Sequence, residues 1–223
     1  MRKRTLGRSD LTVSEYCLGT MTYGSQTEEA DAHRQMDMAW DAGINFLDAA
    51  EMYPVNPVTL ETAGRTEEIV GRWLASRKPN GAVIATKITG EGSVAVPGGV
   101  PISGDRMRAA VDASLARLQT DCIDIYQLHW PNRGSYHFRK SWGFDPSGQN
   151  RAETVAHMRE ILGVAQDLVA AGKIRHIALS NESAWGTAMW LRIAEEEGLP
   201  RVLTIQNEYS LLCRYFDLDM AEL

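Results

Sequence analysis

Two periodicities alternate along the chain, and the points where one gives way to the other mark its elements. Short, largely apolar runs at Glu15–Met21, Ile44–Asp48, Ala82–Lys87, Ile123–His129, Ile174–Leu179 and Arg201–Gln206 read as strands, the clearest of them buried on both faces. Between them apolar residues return every three or four positions, the signature of amphipathic helices. Ala32, Met36, Ala39 and Trp40 form one such stripe, Ile69, Val70, Trp73 and Leu74 the next, and Met107, Val111, Leu115 and Leu118 a third. Ser25 and Glu28 fit a capping box at the start of the first helix. A fourth helix is predicted from about Ala152 to Ala171, stopped by Gly172, and a fifth from a Ser183 cap. Arg2–Leu6 and Leu11–Ser14 flank the turn Gly7-Arg8-Ser9-Asp10 and predict a hairpin ahead of the repeat. Tyr215–Leu223 has the pattern of a further helix.

A hairpin followed by about six βα units demands a parallel sheet with helical crossovers. An open doubly wound sheet would normally carry a glycine-rich phosphate turn after its first strand. Here that turn reads Leu18-Gly19-Thr20-Met21-Thr22-Tyr23-Gly24, which is not GxGxxG. The expected fold is therefore α/β, a (β/α)8 TIM barrel with an N-terminal β-hairpin. The helical pattern still runs at Leu223. Residues 1–223 are accordingly expected to be a single barrel domain, incomplete at its C-terminal end and lacking the last two βα units.

Composition narrows the chemistry. With 44% hydrophobic and 23% charged residues, the 223-residue chain is of ordinary globular make-up. Its net charge of −6, with no basic stripe, argues against nucleic acid as a partner. No apolar run approaches the ~20 residues of a membrane span, and Met1-Arg2-Lys3-Arg4 leads into no apolar segment. Neither a membrane partner nor a signal peptide is expected, and the location expected is cytoplasmic. Cys17, Cys122 and Cys213 form no CxxC pair and are expected to be reduced, mostly buried thiols. The five histidines show no HExxH spacing, so no metal is expected.

Polar groups stand where buried strands stop. The run Ile44-Asn45-Phe46-Leu47 ends on Asp48, with Tyr53 five positions later; further strands end in Thr86-Lys87, Leu128-His129 and Ser180-Asn181. A parallel sheet ending strand after strand in such groups builds a site at its C-terminal edge. Each group alone has a duller reading: Asp48 as a loop cap, Lys87 as a solvated strand end, His129 as a satisfied histidine, Tyr53 as a loop aromatic. Together they suit proton donation. An ammonium beside a phenol favours the phenolate, a carboxylate keeps that ammonium charged and fixed, and a histidine can orient a carbonyl oxygen. The product is an acid aimed at an oxygen that gains negative charge, as in carbonyl reduction. The hydride must come from a cofactor. The long loop from Trp130 to Asn150, with its aromatics and Arg133, Arg139 and Lys140, reads as a partly exposed lid, and the Gly/Pro stretch Gly90–Gly104 as a mobile connector.

Several segments now resemble one family: Cys17-Leu18-Gly19-Thr20-Met21, Gly43 through Tyr53, Ile84-Ala85-Thr86-Lys87, Gln127-Leu128-His129-Trp130, Ile177 through Asn181, and Ile205 through Ser210. The chain resembles the aldo-keto reductase superfamily over essentially its whole length, and looks closest to bacterial reductases of the branch that holds the potassium-channel β subunits. The resemblance implies Tyr53 as general acid, Lys87 as its tuner, Asp48 as the partner of Lys87, and His129 as the group that orients the substrate carbonyl. It also implies an NADPH (NADP+) cofactor, with Ser180, Asn181 and Gln206 on the nicotinamide carboxamide, and Thr20, Met21 and Gln26 against the cofactor. From the residues alone, Ser180-Asn181 reads equally as a strand-end turn and Gln206 as an amide satisfied by backbone. Trp130 is expected beside a small aldehyde or ketone substrate in an apolar pocket. The resemblance is also compatible with a homo-oligomer. The alternative function is a cofactor-binding regulatory subunit with little catalysis; His129, which the channel subunits tend to lack, favours the enzyme.

Overall fold

Lys3–Thr5 (β1) and Thr12–Ser14 (β2) pair antiparallel and form the expected hairpin. A computed structural model, which describes all 223 residues, then shows six parallel strands: β3 (Leu18–Gly19), β4 (Phe46–Asp48), β5 (Val83–Ile88), β6 (Ile123–Leu128), β7 (Ile174–Ser180) and β8 (Ile205–Gln206). The helices between them are α1 (Glu29–Asp41), α2 (Arg65–Arg77), α3 (Gly104–Leu118), α4 (Arg151–Ala170) and α5 (Ala184–Glu197), with a short α6 (Asp219–Glu222) after β8. No helix is long and apolar enough to cross a membrane.

The six strands lie in their chain order, β3-β4-β5-β6-β7-β8, each parallel to the last. A doubly wound sheet reverses its order at a switch point, and this one does not. The outermost strands are shorter than the apolar runs predicted. Glu15–Met21 yields only Leu18–Gly19, and Arg201–Gln206 only Ile205–Gln206. Each has a neighbour on one side alone, so only its rungs facing that neighbour form a regular ladder.

The period of two along the strands divides the core. Residues of one face, among them Leu47, Ile84, Ile88, Tyr126, Leu128, Ile177 and Leu179, pack against the helices in a cluster of 30 buried residues. The alternate residues Val83, Ala85, Ile125 and Ala178 meet Leu11 and Val13 of the hairpin in a second cluster of six. The hairpin thus plugs the inner face at its N-terminal end. Asn45 anchors it there: its Oδ1 accepts from Ser14 N at 2.8 Å, and its Nδ2 reaches the carbonyls of Thr12 and Gly81, each at 3.0 Å.

Some local expectations are corrected. Helix α1 has Glu28 at its N-cap with no side-chain cap bond. Ser25 lies outside the helix, in a turn whose backbone is closed by Gly24 and Thr27, and its hydroxyl bonds the carbonyls of Thr22 and Val55. The stretch Gly90–Gly104 is not a bare connector: Gly92 N bonds Gly99 O at 2.8 Å, Ser93 and Ala95 are buried, and Pro97–Gly99 forms a 3-10 turn. The thiols are not mostly buried, since Cys17 is exposed and Cys122 and Cys213 are half-buried. The Ser183 cap stands as read, its hydroxyl accepting from Gly186 N at 3.1 Å.

Candidate active site

On the inner face of the sheet, apolar rungs give way to polar ones toward the C-terminal edge. Above Val83 and Ala85 on β5 comes Lys87; above Ile125 on β6 come Gln127 and then His129; above Ala178 on β7 comes Ser180. Asp48 closes β4 and Gln206 closes β8 opposite Ser180. Strand pairing sets Lys87 directly beside Gln127. Tyr53 reaches the same place from the loop after β4.

Lys87 is at the centre. Its Nζ donates to Asp48 Oδ2 at 2.6 Å, to the carbonyl of Ala49 at 2.8 Å and to Tyr53 Oη at 3.4 Å, which uses all three ammonium protons. Burial alone would pull its pKa down. The charge of Asp48, the proximity of Tyr53 and the bonds to both outweigh that, and hold it above the usual lysine range. For Tyr53 the balance departs from expectation. Burial raises the phenol pKa more than the Lys87 ammonium lowers it, so the net direction is upward and the proton stays on oxygen at neutral pH.

His129 is 5% exposed, and its ring stands edge-on to Tyr53 with centroids 5.7 Å apart. Its Nδ1 is buried without a partner. Burial, reinforced by the Lys87 charge, pushes its pKa well below the imidazole range, so the ring is neutral at pH 7. A neutral imidazole can donate its one N–H to a ligand oxygen without adding charge.

Tyr53, His129, Met21, Ser180, Asn181 and Gln206 all line one cleft of about 660 Å³, with Phe138 and Arg139 of the long loop at its margin. The amide and hydroxyl groups are partly committed within the fold. Ser180 Oγ donates to the carbonyl of Gln206 at 2.9 Å, Asn181 Nδ2 to that of His129 at 2.9 Å, and Gln206 Nε2 to Asp48 Oδ2 at 3.1 Å. Five expected residues are not in the cleft wall: Asp48 and Lys87 are buried and joined to it through Gln206 and Tyr53, and three others are engaged elsewhere. Thr20 is buried with its hydroxyl on the carbonyl of Asp48 at 2.8 Å. Gln26 is exposed and bonds Asn56 O at 3.5 Å. Trp130 stands behind His129, centroids 5.1 Å apart, with its indole N–H on the carbonyl of Glu91 at 3.0 Å. Arg133 is no part of an exposed lid either: it forms a buried two-pronged ion pair with Glu182 at the start of α5.

Two residues at the site escaped the sequence reading. Gln127 Nε2 donates to Asp48 Oδ1 at 3.0 Å. Its position two residues before His129, and so on the same face of the strand, is a signal that could have found it. Asn207, half-buried in the cleft wall, donates to the carbonyl of Glu182 at 3.0 Å and leaves its buried Oδ1 unpaired. Nothing in the local pattern marks it.

The chain is 43% identical to protein tas of Escherichia coli over its whole length, which covers 64% of that protein. It is 34% identical to an uncharacterized oxidoreductase, YrpG, of Bacillus subtilis, covering 96% of this chain and 60% of the other. Norsolorinic acid reductase B of Aspergillus parasiticus is 28% identical, with 95% and 51% covered. The chain thus spans less than two thirds of the length of these relatives. Residues 15–223 match the Aldo/keto reductase family throughout, and the chain belongs to that family.

Proposed function

We propose that this cleft reduces an aldehyde or ketone to the alcohol with NADPH, and that Tyr53 is the acid. The observation that carries the reading is the Lys87 ammonium, buried between the Asp48 carboxylate and the Tyr53 hydroxyl. A carbonyl oxygen placed between Tyr53 and His129 would accept a hydrogen bond from each. As negative charge grows on that oxygen, Tyr53 passes its proton to it. The adjacent ammonium stabilises the phenolate left behind, because cation and anion then face each other in a site with little water. Asp48 keeps the ammonium charged and in place. His129, neutral, orients the oxygen.

The residues present fit a nicotinamide. Its carboxamide needs both donors and acceptors, and the cleft wall offers the Asn181 and Gln206 amides together with the orphaned Oδ1 of Asn207. Met21, 47% exposed, offers an apolar surface for the ring. A bound reduced nicotinamide would supply the hydride. The six consecutive parallel strands and the plugged inner face support reading residues 1–223 as one domain, six βα units of an eight-stranded barrel.

The test is aldehyde-dependent oxidation of NADPH by the purified protein, with nucleotide binding followed through quenching of tryptophan fluorescence. Tyr53→Phe should lower turnover by about 10²–10⁴-fold and leave nucleotide affinity within about threefold of the parent. Unchanged turnover in that variant would remove Tyr53 from the role of acid.

A further inference from the structure

Asp48 accepts hydrogen bonds from three side chains, and they divide unevenly between its two oxygens. Lys87 Nζ and Gln206 Nε2 both bond Oδ2, whereas Gln127 Nε2 is the side chain that bonds Oδ1, at 3.0 Å. Gln206 sits on the last strand of the sheet, is exposed, and can exchange this bond for one to a ligand in the cleft. Gln127 cannot. It is 4% exposed in the middle of the sheet, registered opposite Lys87 on one side and Ala178 on the other. Ala178 beside it, and Ala85 and Ile125 one layer below on the same face, are apolar. A buried amide among such residues is costly unless its donor is satisfied, and here the Asp48 carboxylate satisfies it.

A carboxylate held at one oxygen can turn about its Cβ–Cγ bond; one held at both cannot. We propose that Gln127 is a positioning residue for the proton donor. By fixing the plane of the Asp48 carboxylate it keeps Oδ2 on Lys87, and so keeps the ammonium within reach of the Tyr53 hydroxyl. Gln127 acts wholly through Asp48. The proposal rests on the reading of the cleft as a carbonyl reductase site.

The experiment is a double-mutant cycle on the purified protein. Gln127→Leu fills the space without a donor, and Gln127→Glu keeps the shape while opposing the carboxylate with a second one. Each should lower kcat by about 10–100-fold, since small misplacements of catalytic groups have effects of that size. KM for the aldehyde and the affinity for NADPH should stay within about threefold. In an Asp48→Asn background, Gln127→Leu should change kcat by less than about threefold, because the group it acts on has lost its charge. Additive losses, or variants that melt earlier yet keep the parent kcat while folded, would overturn the proposal. If Gln127→Leu does not fold, Gln127→Glu decides by the same kcat and KM criterion. The four proteins of the cycle are also compared by urea unfolding, which needs no turnover. There the destabilisations should be non-additive, and additivity counts against the coupling of Gln127 with Asp48. A parent protein that turns over no aldehyde but shows this coupling would overturn the reductase reading and the catalytic role with it, while leaving the contact established.

Discussion

Lys87 is 1% exposed, yet it is charged, and its whole environment is arranged around that fact. Asp48 compensates the charge, the Ala49 carbonyl takes a second proton, and Tyr53 the third. Removing one member of such a pair leaves the other charge buried and alone. Lys87→Met should therefore destabilise the protein by about 3–5 kcal/mol, measured by urea unfolding, and should lower turnover at least as much as Tyr53→Phe does. The double change Lys87→Met with Asp48→Asn should recover part of that stability without recovering activity. At this scale the sequence was informative about residue types. A carboxylate, a lysine and a histidine at successive strand ends, with a tyrosine after the first, pointed to proton donation before any geometry was known. The direction of the Tyr53 pKa was not legible, because it depends on how burial weighs against one ammonium 3.4 Å away. Thr20 and Gln26 were placed at the cleft by family resemblance and Trp130 as part of an apolar pocket, and their side chains are engaged elsewhere.

Among the elements, helices α2 and α3 approach closely because Gly71 faces the end of α3. A Cβ at Gly71 would collide with the backbone carbonyl of Arg117 and with Leu118. Gly71→Ala should destabilise by about 1–3 kcal/mol as an overpacked contact, although alanine is the better helix former; a rise in thermal midpoint would contradict the close approach. Helix α4 starts at a cap, Asn150 Oδ1, which accepts from Ala152 N and Glu153 N at 3.0 and 3.3 Å. Asn150→Ala should lower stability by about 1 kcal/mol, read from denaturant midpoints. Neither site has a signature strong enough to predict its energy. Helical spacing gave the apolar stripe of α2 and the bounds of α4 to within one residue, while the partner of Gly71 lies 46 positions away in α3. The long loop shows the same limit. Its aromatic and basic content suggested a lid, but Arg133 turned out to be tied down by Glu182, a residue of another βα unit.

For the molecule as a whole, pH should act through histidines that are buried or half-buried. His129, His137 and His157 all have pKa values pushed below the usual 6.5, burial being the largest cause in each. The unfolded chain therefore binds protons on these side chains at a pH where the folded one does not. Stability rises with pH wherever the unfolded state carries more protons. The contribution is fully present above about pH 6.5 and is lost as pH falls below it. Urea midpoints measured from neutral pH down to about pH 5 should thus fall, and His157→Gln, away from the cleft, should flatten the slope. A midpoint that stays level across that window would show that these rings are protonated in the folded protein as well.

Periodicity alone determined that this chain forms a hairpin and then a parallel βα repeat. Apolar spacing is a local property, and the two periods, near two and near 3.6, are enforced residue by residue by backbone geometry. The polar strand ends were likewise visible one at a time. Only the tertiary structure decided that the strands keep their chain order, that the hairpin plugs one face through Asn45, and that Gln127 shares a rung with Lys87. These depend on pairings between residues dozens of positions apart, where register and burial, rather than local preference, select the partner.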